Sequence, residues 1–131
     1  MFERESLSRA ELYVKLRPLS YNPSMTIIAF TTFPEQSQAK EAANTLIKER
    51  LAACVQVLPK MDSTYEWEGK IETSAEHLVL IKTTSELMKK LEARLYELHP
   101  YSTPEFVCVS SEYTGHRYLS WLTELLDPKR P

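Results

Sequence analysis

Glycine is nearly missing from this chain. Only two occur in 131 residues, Gly69 and Gly115. Phosphate-cradling loops need several glycines close together, because backbone N–H groups must approach the anion without Cβ atoms in the way. Neither G-x-G-x-x-G nor G-x-x-x-x-G-K-[ST] can be written here, and no serine stands in a G-x-S-x-G elbow. H-E-x-x-H and C-x-x-C are absent as well. No apolar run approaches the ~20 residues of a membrane span, so no membrane partner is expected. Charge is balanced: Lys and Arg total 16 against 18 Asp and Glu, a net charge of −2. That favours neither nucleic acid nor an anionic lipid surface as partner. Cysteine is limited to Cys54 and Cys108, each inside an apolar, strand-like run. Such isolated cysteines read as buried reduced thiols, which fits a cytoplasmic protein.

What is present is a long β-hairpin. Ala52 to Thr84 holds two β-prone runs with Gly69 at their centre, in Tyr65-Glu66-Trp67-Glu68-Gly69-Lys70-Ile71-Glu72. A residue that tolerates φ > 0 between two such runs is what a tight turn requires. From Ala53 to Trp67 a straight strand would span about 50 Å. A folded core of this size is only about 35 Å across. The hairpin must therefore bend or reach beyond its own domain. Pro59 cannot donate to a ladder, so it marks an edge or a bulge and is the expected bend. Strand edges that reach outward need covering, and a partner subunit is the natural cover.

The rest of the chain frames that hairpin. Residues 1–24 mix charges, serines and prolines and read as a flexible or surface-docked N-terminal extension, with a short helix over Arg9–Leu16. They carry no apolar core of secretory type. Met25, directly before the first strand, offers an alternative start site. Residues 25–131 form one domain, whose 43% hydrophobic content (that of the whole chain) suits a real core. Thr26–Phe33 is a buried strand. Pro34 opens a helix in which Ala39, Ala42, Ala43, Leu46 and Ile47 recur at helical spacing. Leu78–Lys82 is a central strand on the returning arm. Thr83 and Glu86 have capping-box spacing, with Thr84 as the alternative cap. Leu87, Met88, Leu91, Leu95 and Leu98 then define a second helix that stops before Pro100. Glu105–Ser110 is the last core strand, and Tyr118, Leu119, Leu122, Leu125 and Leu126 define a terminal helix.

The predicted class is α+β. The order β-α-β-β-α-β plus a C-terminal helix closes most naturally as a ferredoxin-like sandwich, with strands one and three central and both helices on one face. An RNA-recognition domain shares that order but displays basic and aromatic residues on its sheet. Thr26–Phe33 and Leu78–Lys82 are mostly aliphatic.

Three histidines are the remaining candidates for chemistry. His77 and His116 read as surface or interface residues. His99 sits in His-Pro-Tyr-Ser-Thr-Pro-Glu, where Pro100 and Pro104 stiffen the loop that leads to Glu105. Imidazole and carboxylate suit a divalent transition metal. The alternative is that His99 only closes the helix and Tyr101 belongs to the core. Tyr65 and Trp67 flank the turn, and Trp121 lies on the last helix; all read as core or subunit-contact aromatics, with interface packing favoured.

A set of ordered motifs resembles the CutA divalent-cation tolerance family. They are Leu51-Ala52-Ala53-Cys54-Val55 with Pro59, Tyr65-Glu66-Trp67-Glu68-Gly69-Lys70-Ile71-Glu72, Ile81-Lys82-Thr83, His99-Pro100-Tyr101, Pro104-Glu105 and Tyr118-Leu119-x-Trp121. The similarity runs from about Met25 to Leu126. It implies a homotrimer in which long hairpins pair between subunits, and a non-catalytic role in tolerance of copper and other divalent metals. It implies copper(II) or another divalent cation as ligand, with no obligatory cofactor. Carried over position by position, it points to His99 and Glu105 as metal ligands. Cys54, Tyr65, Trp67, Lys82, Tyr101 and Trp121 would line a cleft between subunits. Some members carry a copper-ligating cysteine in the first strand; the matching residue here is Thr31, a poorer copper ligand. Ser102 stands where the family often has an acid. A signalling or small-ligand trimer is the alternative, with Lys82, Arg117 and the aromatics holding an anionic metabolite between subunits. A hydrolase is disfavoured by the lack of an evident nucleophile–base pair.

Overall fold

The computed structural model describes Ser8, Arg9 and residues 25–131. The rest of the N-terminal extension, where a short helix is expected, lies outside the described residues. The elements are β1 (Thr26–Phe33), α1 (Gln36–Lys48), β2 (Cys54–Trp67), β3 (Lys70–Thr84), a 3₁₀ turn (Ser85–Leu87), α2 (Met88–Leu98), β4 (Val107–Ser110) and α3 (His116–Leu125). The strands form one antiparallel sheet in the order β2-β3-β1-β4. Strands one and three are central, as the ferredoxin-like order requires.

The alternation of side chains along a strand sorts this sheet into two faces. Ile27, Ala29, Phe33, Val79 and Ile81 are buried. Ala29, Phe33, Val79 and Ile81 pack with Ala39, Ala42 and Leu46 of α1 and with Leu91 and Leu95 of α2. The small alanines let α1 sit close to the sheet. The intervening residues of β1 and β3, among them Ile28, Phe30, Leu78 and Leu80, are only half-buried. In the register, Phe30 lies between Leu80 and Val107, and Ile28 lies between Lys82 and Val109. Val107 and Val109 are 53% and 44% exposed. This second face is largely apolar, and among the described residues no helix lies across its centre. At its edge α3 packs Leu122 and Leu126 against Ala53, with Leu87 and Leu125 around them.

The hairpin turns at Glu68 and Gly69, which have φ of 51° and 78°. Positive φ at both central residues matches the right-handed twist of the arms. A single irregularity interrupts the arms, between Val57 and Lys60. There Leu58 and Pro59 oppose Leu78 alone, so Pro59 sits in a β-bulge where its missing N–H costs nothing. His77 Nδ1–H donates to the Leu58 carbonyl at 3.0 Å and satisfies the acceptor that the bulge frees.

Local details differ from the sequence reading. α1 begins at Gln36, not at Pro34, and its cap residue Glu35 makes no side-chain cap bond. No capping box forms at Thr83 or Thr84. Thr83 Oγ1 instead donates to the Leu51 carbonyl at 2.8 Å, and a 3₁₀ turn leads into α2. β4 begins at Val107, leaving Glu105 in the preceding loop. At the end of α1, Arg50 takes φ 56°, a position where glycine is usual. Arg50 N–H bonds the Ile47 carbonyl and Leu51 N–H bonds the Leu46 carbonyl, both at 3.0 Å, which closes a Schellman motif.

Candidate functional site

The best-defined polar cluster lies where β1, the far half of the hairpin and the α2–β4 loop meet. Its centre is Glu76, 7% exposed. Glu76 shares the open sheet face with Leu78 and Leu80, so its carboxylate points where an apolar residue would be expected. Two hydroxyls hold it: Thr32 Oγ1 donates to Oε2 at 3.1 Å and Tyr101 Oη donates to the same oxygen at 2.9 Å. Burial, and then the bond to Glu76, push the Tyr101 phenol up to about 12. Burial, and then the Glu76 charge, hold the Glu105 carboxyl above its ordinary value. Two acids therefore face one region.

A cleft of about 900 Å³ opens there. Its walls carry Glu66, Glu72, Glu76 and Glu105, the rings of Tyr65, Trp67 and Tyr101, and several hydroxyls, but no Lys, Arg or His. Tyr65 is fixed by a 2.7 Å hydrogen bond between its hydroxyl and that of Ser74. Trp67 stands 51% exposed.

His99 lies behind this cleft and supports it. β4 pairs with β1 only as far as Phe30. Thr32 lies beyond that point, and His99 Nε2–H donates to its carbonyl at 2.6 Å. Nδ1 accepts the Tyr101 N–H at 3.1 Å. The ring also stacks on Phe33 at 4.3 Å. Burial lowers the His99 pKa, outweighing the Thr32 carbonyl and the Glu76 charge. The imidazole is thus the neutral Nε2–H tautomer with both nitrogens engaged, and in this arrangement it offers no lone pair to a metal. Of the expected ligand pair, His99 has both ring nitrogens hydrogen-bonded and Glu105 lines the cleft. Among the described residues, no group of three or more His, Cys, Asp and Glu side chains is placed to hold a metal ion.

The candidate residues separate into two places. Tyr65, Trp67, Tyr101 and Glu105 line the cleft, with His99 behind. Cys54, Lys82 and Trp121 lie at the base of the hairpin. There Cys54 pairs with Lys82 across the ladder, and Lys82 Nζ donates to Gln56 Oε1. Trp121 packs on Tyr118 at 5.4 Å, and burial, and then the neighbouring Cys54 thiol, hold the Tyr118 phenol above its ordinary value. Thr31 is fully buried on the helix-covered face, and its hydroxyl has no partner. Sequence reasoning missed Glu76 and Thr32. A signal existed: Glu76 continues the apolar set Leu78 and Leu80 at a spacing of two.

The fold, the long hairpin and the motif order all have counterparts in known proteins. Residues 27–125 match the family described as CutA1 divalent ion tolerance protein. The chain belongs to that family. Human "Protein CutA" is 38% identical over 107 residues, covering 82% of this chain and 60% of the relative. The chain thus spans about three-fifths of the human relative's length. "Divalent-cation tolerance protein CutA" of Thermus thermophilus is 39% identical over 100 residues, covering 76% of this chain and 97% of the relative. The crystal structure of CutA from Xylella fastidiosa superposes with a TM-score of 0.77 at 40% identity, covering 79% of this chain and all of that one. Against this family background, the cleft around Glu76 is the part of the subunit with defined polar chemistry.

Proposed function

We propose that the chain acts in divalent-cation tolerance as a non-catalytic homotrimer that recognises cations at the Glu76 cleft. One observation carries this reading: the cleft holds four glutamates and no basic side chain. Its field favours a cation and opposes an anionic metabolite. Lys82 and Arg117, which would serve an anion, are not among its lining residues. Copper(II) or another divalent cation would meet carboxylates and hydroxyls there, a donor set suited to harder ions. The absence of catalysis rests on His99, the cleft's only adjacent imidazole, whose nitrogens are both committed to backbone groups.

The open sheet face supports the trimer. Ile28, Phe30, Leu80, Val107 and Val109 form a contiguous apolar surface on a monomer, which marks a contact with another chain. The free thiols of Cys54 and Cys108 support a cytoplasmic setting. Calorimetric titration of the full chain with Cu(II), Mn(II) and Mg(II) tests the cation reading. Saturable binding that is lost in Glu76→Gln and Glu105→Gln is expected. Binding that survives both substitutions, or no binding to wild type, overturns it. Light scattering should give about three times 15.2 kDa; a monomer at micromolar concentration refutes the trimer.

A further inference from the structure

We infer that the cleft's ligand is an organic cation, an alkylammonium or guanidinium group, held between aromatic rings over the Glu76 carboxylate. This rests on reading the cleft as a cation site and goes beyond it in naming the ligand class. Three observations lead there. The first is size. A cleft of about 900 Å³ lies in the range of small-molecule pockets, roughly 300–1,000 Å³. A bare divalent ion needs several oxygens converging within about 2.0–2.6 Å, whereas no group of three or more His, Cys, Asp and Glu side chains among the described residues is placed to hold a metal ion.

The second is the wall. Tyr65, Trp67 and Tyr101 line the cleft. Aromatic faces attract cations through the ring quadrupole, and bind quaternary ammonium groups where two or three rings gather. They contribute little to a small hydrated metal ion. Tyr65 and Tyr101 are both anchored through their hydroxyls, so the rings are held in place before a ligand arrives.

The third is an uncompensated charge. Glu76 is 7% exposed, and it makes no ion pair among the described residues. Its hydrogen bonds to Thr32 and Tyr101 both end on Oε2, which leaves Oε1 to accept from a ligand. A buried carboxylate with hydroxyl donors but no countercharge is costly. A ligand ammonium would supply the missing charge and N–H donors, while its alkyl part covers Trp67. A divalent metal would compete for the same carboxylates.

Trp67 reports on its own site. In Trp121→Phe it is the sole tryptophan, and Trp121 does not line this cleft. Its fluorescence should saturate with tetramethylammonium or 1,4-diaminobutane, against sodium chloride at matched ionic strength. Glu76→Gln should weaken binding at least about tenfold, and Trp67→Leu, followed by calorimetry, several-fold. If Glu76→Gln fails to fold by circular dichroism, Glu105→Gln replaces it and should weaken binding too. A response to the amines no different from sodium chloride overturns the inference. In that event saturation by Mn(II) would leave the divalent-cation reading standing, and silence from both would remove the two together. Amine binding undiminished in the glutamate variants also overturns it.

Discussion

The two faces of the sheet are built from the same kinds of residue and meet different fates. On one face Ala29, Val79 and Ile81 are sealed beneath two helices. On the other Phe30, Leu80, Val107 and Val109 follow the same alternation with no helix across them among the described residues. The first face stabilises the subunit. The second has apolar area to spare, and it also carries the cleft, because Glu76 and Thr32 point that way. The contrast teaches that burial in the subunit and readiness for a partner can be written on alternate residues of one strand.

The largest effect should come from the covered face. Leu95→Ala removes a fully buried side chain and should cost about 3 kcal/mol. Urea unfolding at several protein concentrations should show the loss while the mass by light scattering stays that of the wild type below the transition. Val107→Asp should do the reverse. It places a charge on the open apolar face, so light scattering should show a smaller species whose circular dichroism still reports the folded subunit. If both variants lose stability and assembly together, the two faces are not separable. A smaller effect of opposite sign is expected at Thr31. Its buried hydroxyl has no partner, so Thr31→Val should stabilise by about 1 kcal/mol in the same unfolding assay.

The smallest effect is a pH slope. The His99 pKa lies below 6.5 in the folded state. On acidification the unfolded chain therefore takes up the proton first. Stability should be full above 6.5 and fall as the pH drops below it. Glu105 acts oppositely: its raised pKa means that the folded state binds its proton first, which favours folding as the pH falls toward 4.5. Chemical unfolding between these pH values, in a Glu105→Gln background, should isolate the His99 slope, and His99→Gln should flatten it.

Much of this fold was legible because local chemistry and global arrangement agree. Gly69 marked the turn, Pro59 the bulge, and apolar residues at helical spacing the two covering helices. The expected strand order followed from element order. What stayed hidden depends on contacts between distant residues. Thr83 has the spacing of a helix cap, yet the Leu51 carbonyl claims its hydroxyl. His99 has the composition of a ligand, yet the early end of β4 leaves the Thr32 carbonyl for it to satisfy. Glu76 belongs to no motif of its own, and only the register puts it in line with Leu78 and Leu80. Within one chain, Cys54, Lys82 and Trp121 stand at the base of the hairpin, away from the residues that line the cleft; their expected meeting place is between subunits.

The bulge at Pro59 has a consequence for which side chains share the face of Glu76. It works as a phase shifter along β2. Before it, even-numbered residues such as Cys54 and Gln56 share a face with Lys82 and Leu80; after it, odd-numbered Ser63, Tyr65 and Trp67 share that face with Ser74, Glu72 and Lys70. One supernumerary residue thus puts the aromatic set, rather than Thr64 and Glu66, in phase with Glu76. Removing Pro59 alone would leave every rung on both sides in its present pairing and erase only the kink. The direction in which the hairpin tip points can therefore be edited without rewriting what the tip displays.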